Sequence, residues 1–200
     1  MSLLPKTFQD FTSKHYWNSF FSKRGEKAFE WYGEYTELCG LLHKYMRPTD
    51  AILVAGCGNS TLSADLYRVG YSQITSVDNS EVVIRQMRDK YKQQCPKMEW
   101  LKMDLSAMDF EDGSFSCVLD KAALDALMTD ASLPVIEFID KYLNLSLIVL
   151  GGQPLRGIRM LRPGALHRAR WMAKIIYAIK IYLFRDPEQF RLTAGEKSGI

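Results

Sequence analysis

Two glycines and an aspartate hold the positions most suited to chemistry. Gly56-Cys57-Gly58 follows the apolar run Ala51–Ala55, and a helical pattern starts directly after Ser60. A strand that turns into a helix against a ligand needs glycine for positive φ, and to remove the side chain that would block the backbone's approach. The helix after such a turn directs its free N–H groups toward the ligand. Asp78 stands 20 residues after Gly58, at the end of the next apolar run, 74–77. A carboxylate there accepts hydrogen bonds from ribose hydroxyls, as in nucleotide-binding α/β folds. A lone G-x-G is explained by a tight turn. Joined to Asp78 in strand–turn–helix–strand order, it points to nucleoside binding. The position three after Gly58 is Thr61, where a dinucleotide fingerprint wants glycine or alanine, so a dehydrogenase is disfavoured. No Gly-Lys-Ser/Thr follows at P-loop spacing.

These residues need a frame. Apolar runs at 51–55, 74–77, 99–103 and 115–119 each end at a glycine turn or at Asp78, Asp104 or Asp120. Helical patterns separate them, the clearest from Glu81 to about Tyr91 with Ser80 as its cap. Strands alternating with helices predict a parallel α/β sheet, with ligands bound beyond the strands' carboxyl ends. Before the first strand, residues 1–50 read as a helical and aromatic segment, closed by Pro48-Thr49-Asp50. After Ala122 a helix to Met128 is expected, then a helix at 133–143 and a fifth strand at 145–150. Residues 153–170 show no period, and 171–184 read as an apolar helix. The expected organisation is a lid segment at 1–50, a nucleoside-binding core at 51–150 and a basic tail at 151–200, within one domain.

Composition narrows the classes. The chain has 200 residues, 47% hydrophobic and 24% charged, which is ordinary globular usage. No apolar stretch approaches the ~20 residues of a membrane span, and the first residues carry no signal-peptide core. Cys39, Cys57, Cys95 and Cys117 form no C-x-x-C pair, so reduced thiols in a cytoplasmic protein are expected and a zinc site is not. His15, His43 and His167 form no visible acid–base pair. Residues 1–130 carry 15 basic against 18 acidic side chains, and residues 131–200 carry 11 against 5. The main body thus has no nucleic-acid footprint.

With these motifs on view, the chain resembles the class I S-adenosylmethionine-dependent methyltransferases. The resemblance rests on Val54-Ala55-Gly56-Cys57-Gly58-Asn59-Ser60, Ser76-Val77-Asp78-Asn79-Ser80, Lys102-Met103-Asp104, and Val118-Leu119-Asp120-Lys121 with Leu124-Asp125-Ala126. Tyr16-Trp17, Phe21 and Phe29-Glu30-Trp31-Tyr32-Gly33 resemble the eukaryotic members that act on translation elongation factor 1-alpha. The likeness covers about residues 1–130. It implies a Rossmann-like sheet with helices on both faces, S-adenosyl-L-methionine as cofactor and a protein lysine as acceptor. It implies roles as well. Gly56, Cys57 and Gly58 would lie along the methionine part of the cofactor, Asp78 on the ribose and Asn79 beside the adenine. Met103 would pack on the adenine ring and Asp104 would accept from its amine. Asp120 would face the cofactor's amino group or the acceptor, as the candidate catalytic residue. Trp17, Phe21 and Trp31 would cover the cofactor. Each has a plainer alternative: core packing for the aromatics and Met103, helix capping for Asp104 and Asp120.

The chain also departs from the family. Where the family has Gly-Thr after Asp-Lys, it has Ala122-Ala123. The family's strand after an Arg-Val-Leu-x-Pro-Gly-Gly run has no counterpart after Met160-Leu161-Arg162-Pro163-Gly164-Ala165. Residues from about 140 onward therefore read as an alternative or wrongly joined end, which would leave the sheet without its last strands. The fourth strand lacks the Pro-Pro-aromatic ending of DNA adenine methyltransferases. Two rival readings share these residues: an inactive cofactor-binding interaction module, and a small-molecule methyltransferase.

Overall fold

The structure, a computed structural model, describes residues 4–152 and the backbone of 181–184. Helices α1 (Phe8–Thr12), α2 (Lys14–Arg24) and α3 (Tyr35–Tyr45) precede strand β1 (Ala51–Ala55). Then come α4 (Leu62–Arg68), β2 (Gln73–Asp78), α5 (Glu81–Tyr91), β3 (Glu99–Lys102), a 3-10 turn (Leu105–Ala107), β4 (Cys117–Lys121), α6 (Ala123–Leu127), α7 (Leu133–Val149) and β5 (Ile181–Phe184). The sheet order is β3-β2-β1-β4-β5. The first four strands are parallel, and β5 runs antiparallel to β4.

β1 is buried on both sides, as a strand between two helical layers must be. Ile52 and Val54 face the layer of α3, α4 and α5, meeting Leu42, Leu66 and Val83. Leu53 and Ala55 face the other layer, with Ile139, Tyr142 and Val149 of α7. This two-residue alternation places Gly56 at the top of the central strand. Ala55 is level with Val77 of β2 on one side and Asp120 of β4 on the other. The chain leaves β1 toward β2 and returns to β4 on the opposite flank. Such a switch point opens a crevice at the strands' carboxyl ends.

α5 forms where the sequence predicts it. The Ser80 hydroxyl accepts from Val83 N, and Val83, Ile84, Met87 and Tyr91 make the buried stripe. Further along, the fold corrects the expectation. Residues 145–150 are not a strand, because α7 runs unbroken from Leu133 to Val149. No breaker separates the apolar runs, and the Ser146 hydroxyl donates to Tyr142 O inside the helix. Ile139, Tyr142, Ser146, Leu147 and Val149 are its buried residues, at helical spacing. A short apolar run by itself suits a buried helix as well as a strand. The helix expected at 171–184 ends differently too: residues 181–184 are strand β5, paired to the edge of β4 that was expected to stand open. Residues 171–180 of that reading, the unpatterned 153–170 and the rest of the basic tail lie outside the described residues.

Candidate functional site

The cleft lies above Gly56. Gly56 and Gly58 have φ of 61° and 51°, the left-handed region where glycine alone is unstrained. A Cβ on Gly56 would collide with Ala123 Cβ, so this glycine also lets α6 approach the turn. Cys57 N donates to Val77 O at 2.9 Å, tying the turn to β2. Gly58 N donates to Asp78 Oδ2 at 2.9 Å and Ser80 N donates to Oδ1 at 2.8 Å. Burial raises the Asp78 carboxyl above its ordinary range, and these two N–H bonds oppose that rise. Burial, joined by the Asp78 charge, pushes the Cys57 thiol well up, so Cys57 is no nucleophile here.

The cleft is open at its mouth, and its volume with that mouth included is about 990 Å³. Gly56, Cys57, Gly58, Asp78 and Asn79 line it on the turn side, and Trp17, Phe21 and Trp31 form an aromatic wall. The structure thus brings eight of the expected residues together. It does not bring in three. Met103 packs with the α7-side core, and the neighbouring Leu105 lines the cleft instead. The Asp104 carboxylate accepts from Ser106 N and Ser106 Oγ, capping the 3-10 turn. The Asp120 carboxylate is fully buried below the cleft. It accepts from Ala123 N, Leu124 N and the Tyr142 hydroxyl, and burial pushes its pKa up to about 7. In this geometry Asp120 holds the start of α6, whose Ala126 and Leu127 line the cleft.

The aromatic wall is wired in place. Phe20 meets Phe29 edge-on at 5.5 Å, and Phe29 meets Trp31 at 4.9 Å. The Arg24 guanidinium donates to the carbonyls of Lys27 and Ala28 and lies 4.8 Å from the Phe29 ring centre. Asn59 of the glycine turn donates to Lys27 O and accepts from Phe29 N. Residues 27–33 therefore form a strap bonded to the turn itself.

Glu30 is the strap's main anchor, and sequence reasoning did not single it out. Its Oε1 accepts from Thr61 N at 2.7 Å and its Oε2 from Ser60 Oγ at 2.7 Å. The Lys121 ammonium pairs with Oε2, and it also donates to Trp31 O at 3.0 Å and Gly33 O. The side chains of Lys121 and Glu30 are only 6% and 12% exposed, so the pair is desolvated. Glu30 and Lys121 are 91 residues apart, a pairing that no local pattern could reveal. The free N–H expected to point at a ligand from the start of α4 is thus partly used: Glu30 takes Thr61 N, and Ser60 Oγ takes Leu62 N. Tyr32 beside it has φ of 65°, and burial with the Asp125 charge pushes its phenol up to about 12.

Residues 52–144 match the family described as "Methyltransferase domain". The chain is 52% identical over 143 residues to the "eEF1A lysine and N-terminal methyltransferase" of Homo sapiens, covering 72% of this chain and 20% of that protein. It is 50% identical over 142 residues to the Drosophila melanogaster homolog, covering 71% and 21%. To "EEF1A lysine methyltransferase 4" of Bos taurus it is 39% identical over 148 residues, covering 70% and 58%. The chain spans about a fifth of the length of the first two relatives. Among solved structures, magnesium protoporphyrin IX methyltransferase from Synechocystis PCC 6803 with bound SAH superposes with a TM-score of 0.53 at 14% identity, covering 88% of this chain and 97% of that one. That likeness concerns the fold. None of the four cysteines is in a disulfide, and the described residues hold no group of His, Cys, Asp and Glu arranged for a metal. No helix among them is long and apolar enough to cross a membrane.

Proposed function

We propose that this chain, which belongs to the class I S-adenosylmethionine-dependent methyltransferases, binds that cofactor above Gly56 and methylates a lysine of translation elongation factor 1-alpha. The observation that carries the cofactor reading is Asp78. Its carboxylate lines the cleft beside the glycine turn, oriented by Gly58 N and Ser80 N. Ribose hydroxyls donating to Asp78 would satisfy its remaining acceptor capacity. The aromatic wall of Trp17, Phe21 and Trp31 suits a cationic sulfonium, since ring faces attract cations.

The cofactor supplies an activated methyl group, so the protein's work is alignment and dryness. An acceptor lysine must arrive neutral, against an ordinary pKa of about 10.4. Phe20, Leu127 and Phe138 extend the apolar lining, and such walls disfavour an ammonium. The elongation factor enters through the relatives' names and through the strap motif Phe29-Glu30-Trp31-Tyr32-Gly33. Incubating the chain with elongation factor 1-alpha and methyl-labelled cofactor, then mapping the label by mass spectrometry, tests this. Label on a lysine is expected; cofactor binding without label on that protein refutes the acceptor assignment. A second reading, a cofactor-binding module without transfer, is favoured by Asp120: its carboxylate is fully buried and bonded within the fold.

A further inference from the structure

β1 and β4 are the neighbouring strands at which the strand order reverses, and one carboxylate ties their ends together. Glu30 accepts from Thr61 N and from the Ser60 hydroxyl just after the β1 turn, and it pairs with Lys121, the last residue of β4. The Lys121 ammonium also donates to Trp31 O and Gly33 O, which engages all three of its donors. Both side chains are nearly water-free, so removing either one leaves a desolvated charge without its counter-charge. Glu30 itself stands outside the cleft lining, whereas the next residue, Trp31, is part of it. The Trp31 ring meets Phe29 edge-on, and its backbone is held from the β4 side by Lys121. Tyr32 follows with φ of 65°. A left-handed tyrosine persists only where its surroundings over-determine it. The two carbonyls that Lys121 holds, on Trp31 and Gly33, flank that residue on either side.

We propose that Glu30 and Lys121 are positioning residues: their ion pair holds the strained strap so that the Trp31 ring covers the cleft, and cofactor affinity depends on the pair only through that ring. This rests on the cofactor reading above, which seats a sulfonium within the aromatic wall. With the pair broken, nothing on the β4 side keeps Tyr32 in the left-handed region. The strap then relaxes, Trp31 leaves the wall, and the cofactor loses one desolvated ring.

The test is whether the two losses overlap. Dissociation constants for S-adenosylmethionine are measured by calorimetry on the full chain, on Trp31→Ala, on Glu30→Gln and on the double variant. Calorimetry reports the number of sites separately from the affinity, so unfolded molecules lower the first and leave the second. Trp31→Ala and Glu30→Gln should each weaken binding about tenfold. The double variant should bind no more weakly than Trp31→Ala, because the ring through which Glu30 acts is already gone. A role for Glu30 apart from the ring would instead multiply the two losses, to about a hundredfold, and would overturn the proposal. So would either single variant that binds as tightly as the wild type. If Glu30→Gln does not fold, Lys121→Met takes its place in the same cycle, with the same expected and contrary results. Methionine keeps the apolar stem and carries no charge. A folded wild type that does not bind S-adenosylmethionine would overturn the cofactor reading, and the proposal with it.

Discussion

Replacing Asp120 by asparagine should make this fold less sensitive to alkali. Asp120 is fully buried, and burial raises its pKa to about 7, with the Asp125 charge adding to the rise. Bonds from the Tyr142 hydroxyl, Leu124 N and Ala123 N work against it. In the unfolded chain the ordinary value is about 3.9. The folded state therefore holds this proton more tightly. The stabilisation is complete below pH ~3.9 and is lost as pH rises through about 7. Between pH 5 and 8 that amounts to about 2.5 kcal/mol, from roughly 1.4 kcal/mol per pH unit within the window. Asparagine is neutral throughout. Its Oδ1 can still accept from Ala123 N and Leu124 N, and its amide can donate to the Tyr142 oxygen. Urea unfolding of both proteins at pH 5 and pH 8 reads the effect. The wild type should lose about 2.5 kcal/mol relative to Asp120→Asn over that interval. An equal difference between the two proteins at both pH values would refute the reasoning.

Three other substitutions follow from the same geometry. Tyr142→Phe removes a bond that favours the ionised Asp120, so the alkaline loss of stability should move to higher pH in the same urea series. Ala122 has φ of 81°, a conformation costly for any residue with a Cβ. Ala122→Gly should therefore raise stability by about 1 kcal/mol in thermal or urea melts. Gly56→Ala should do the opposite, costing about 2 kcal/mol or more, because the new methyl meets Ala123 in a left-handed backbone.

The parts of this fold that could be read from the sequence are those set by neighbours in the chain. β1 was legible because Ala51–Ala55 is a short apolar run stopped by glycine, and α5 because Ser80 caps a stripe of four apolar residues. Gly56, Gly58 and Asp78 were legible because their spacing reflects one strand–turn–helix–strand unit. α7 was not, since an apolar run such as 145–150 satisfies both helix and buried strand, and only its packing against the sheet decides. Asp104 stands two residues past β3, and Asp120 is the next-to-last residue of β4 rather than the one after it. Which way a strand-end carboxylate turns depends on whether N–H donors or a ligand meet it, and here Ser106 N, Ala123 N and Leu124 N do. Glu30 looked like one charge in an aromatic run. Its role rests on Thr61 and Lys121, which only the folded chain brings to it.

The cofactor cleft is the centre of the account, and Asp78 is its most direct probe. Purified wild type and Asp78→Ala should be titrated with S-adenosylmethionine by calorimetry, with circular dichroism to establish that both are folded. Micromolar binding by the wild type, lost in Asp78→Ala, is the predicted result. A folded wild type that does not bind, or an Asp78→Ala variant that binds as tightly, would contradict it.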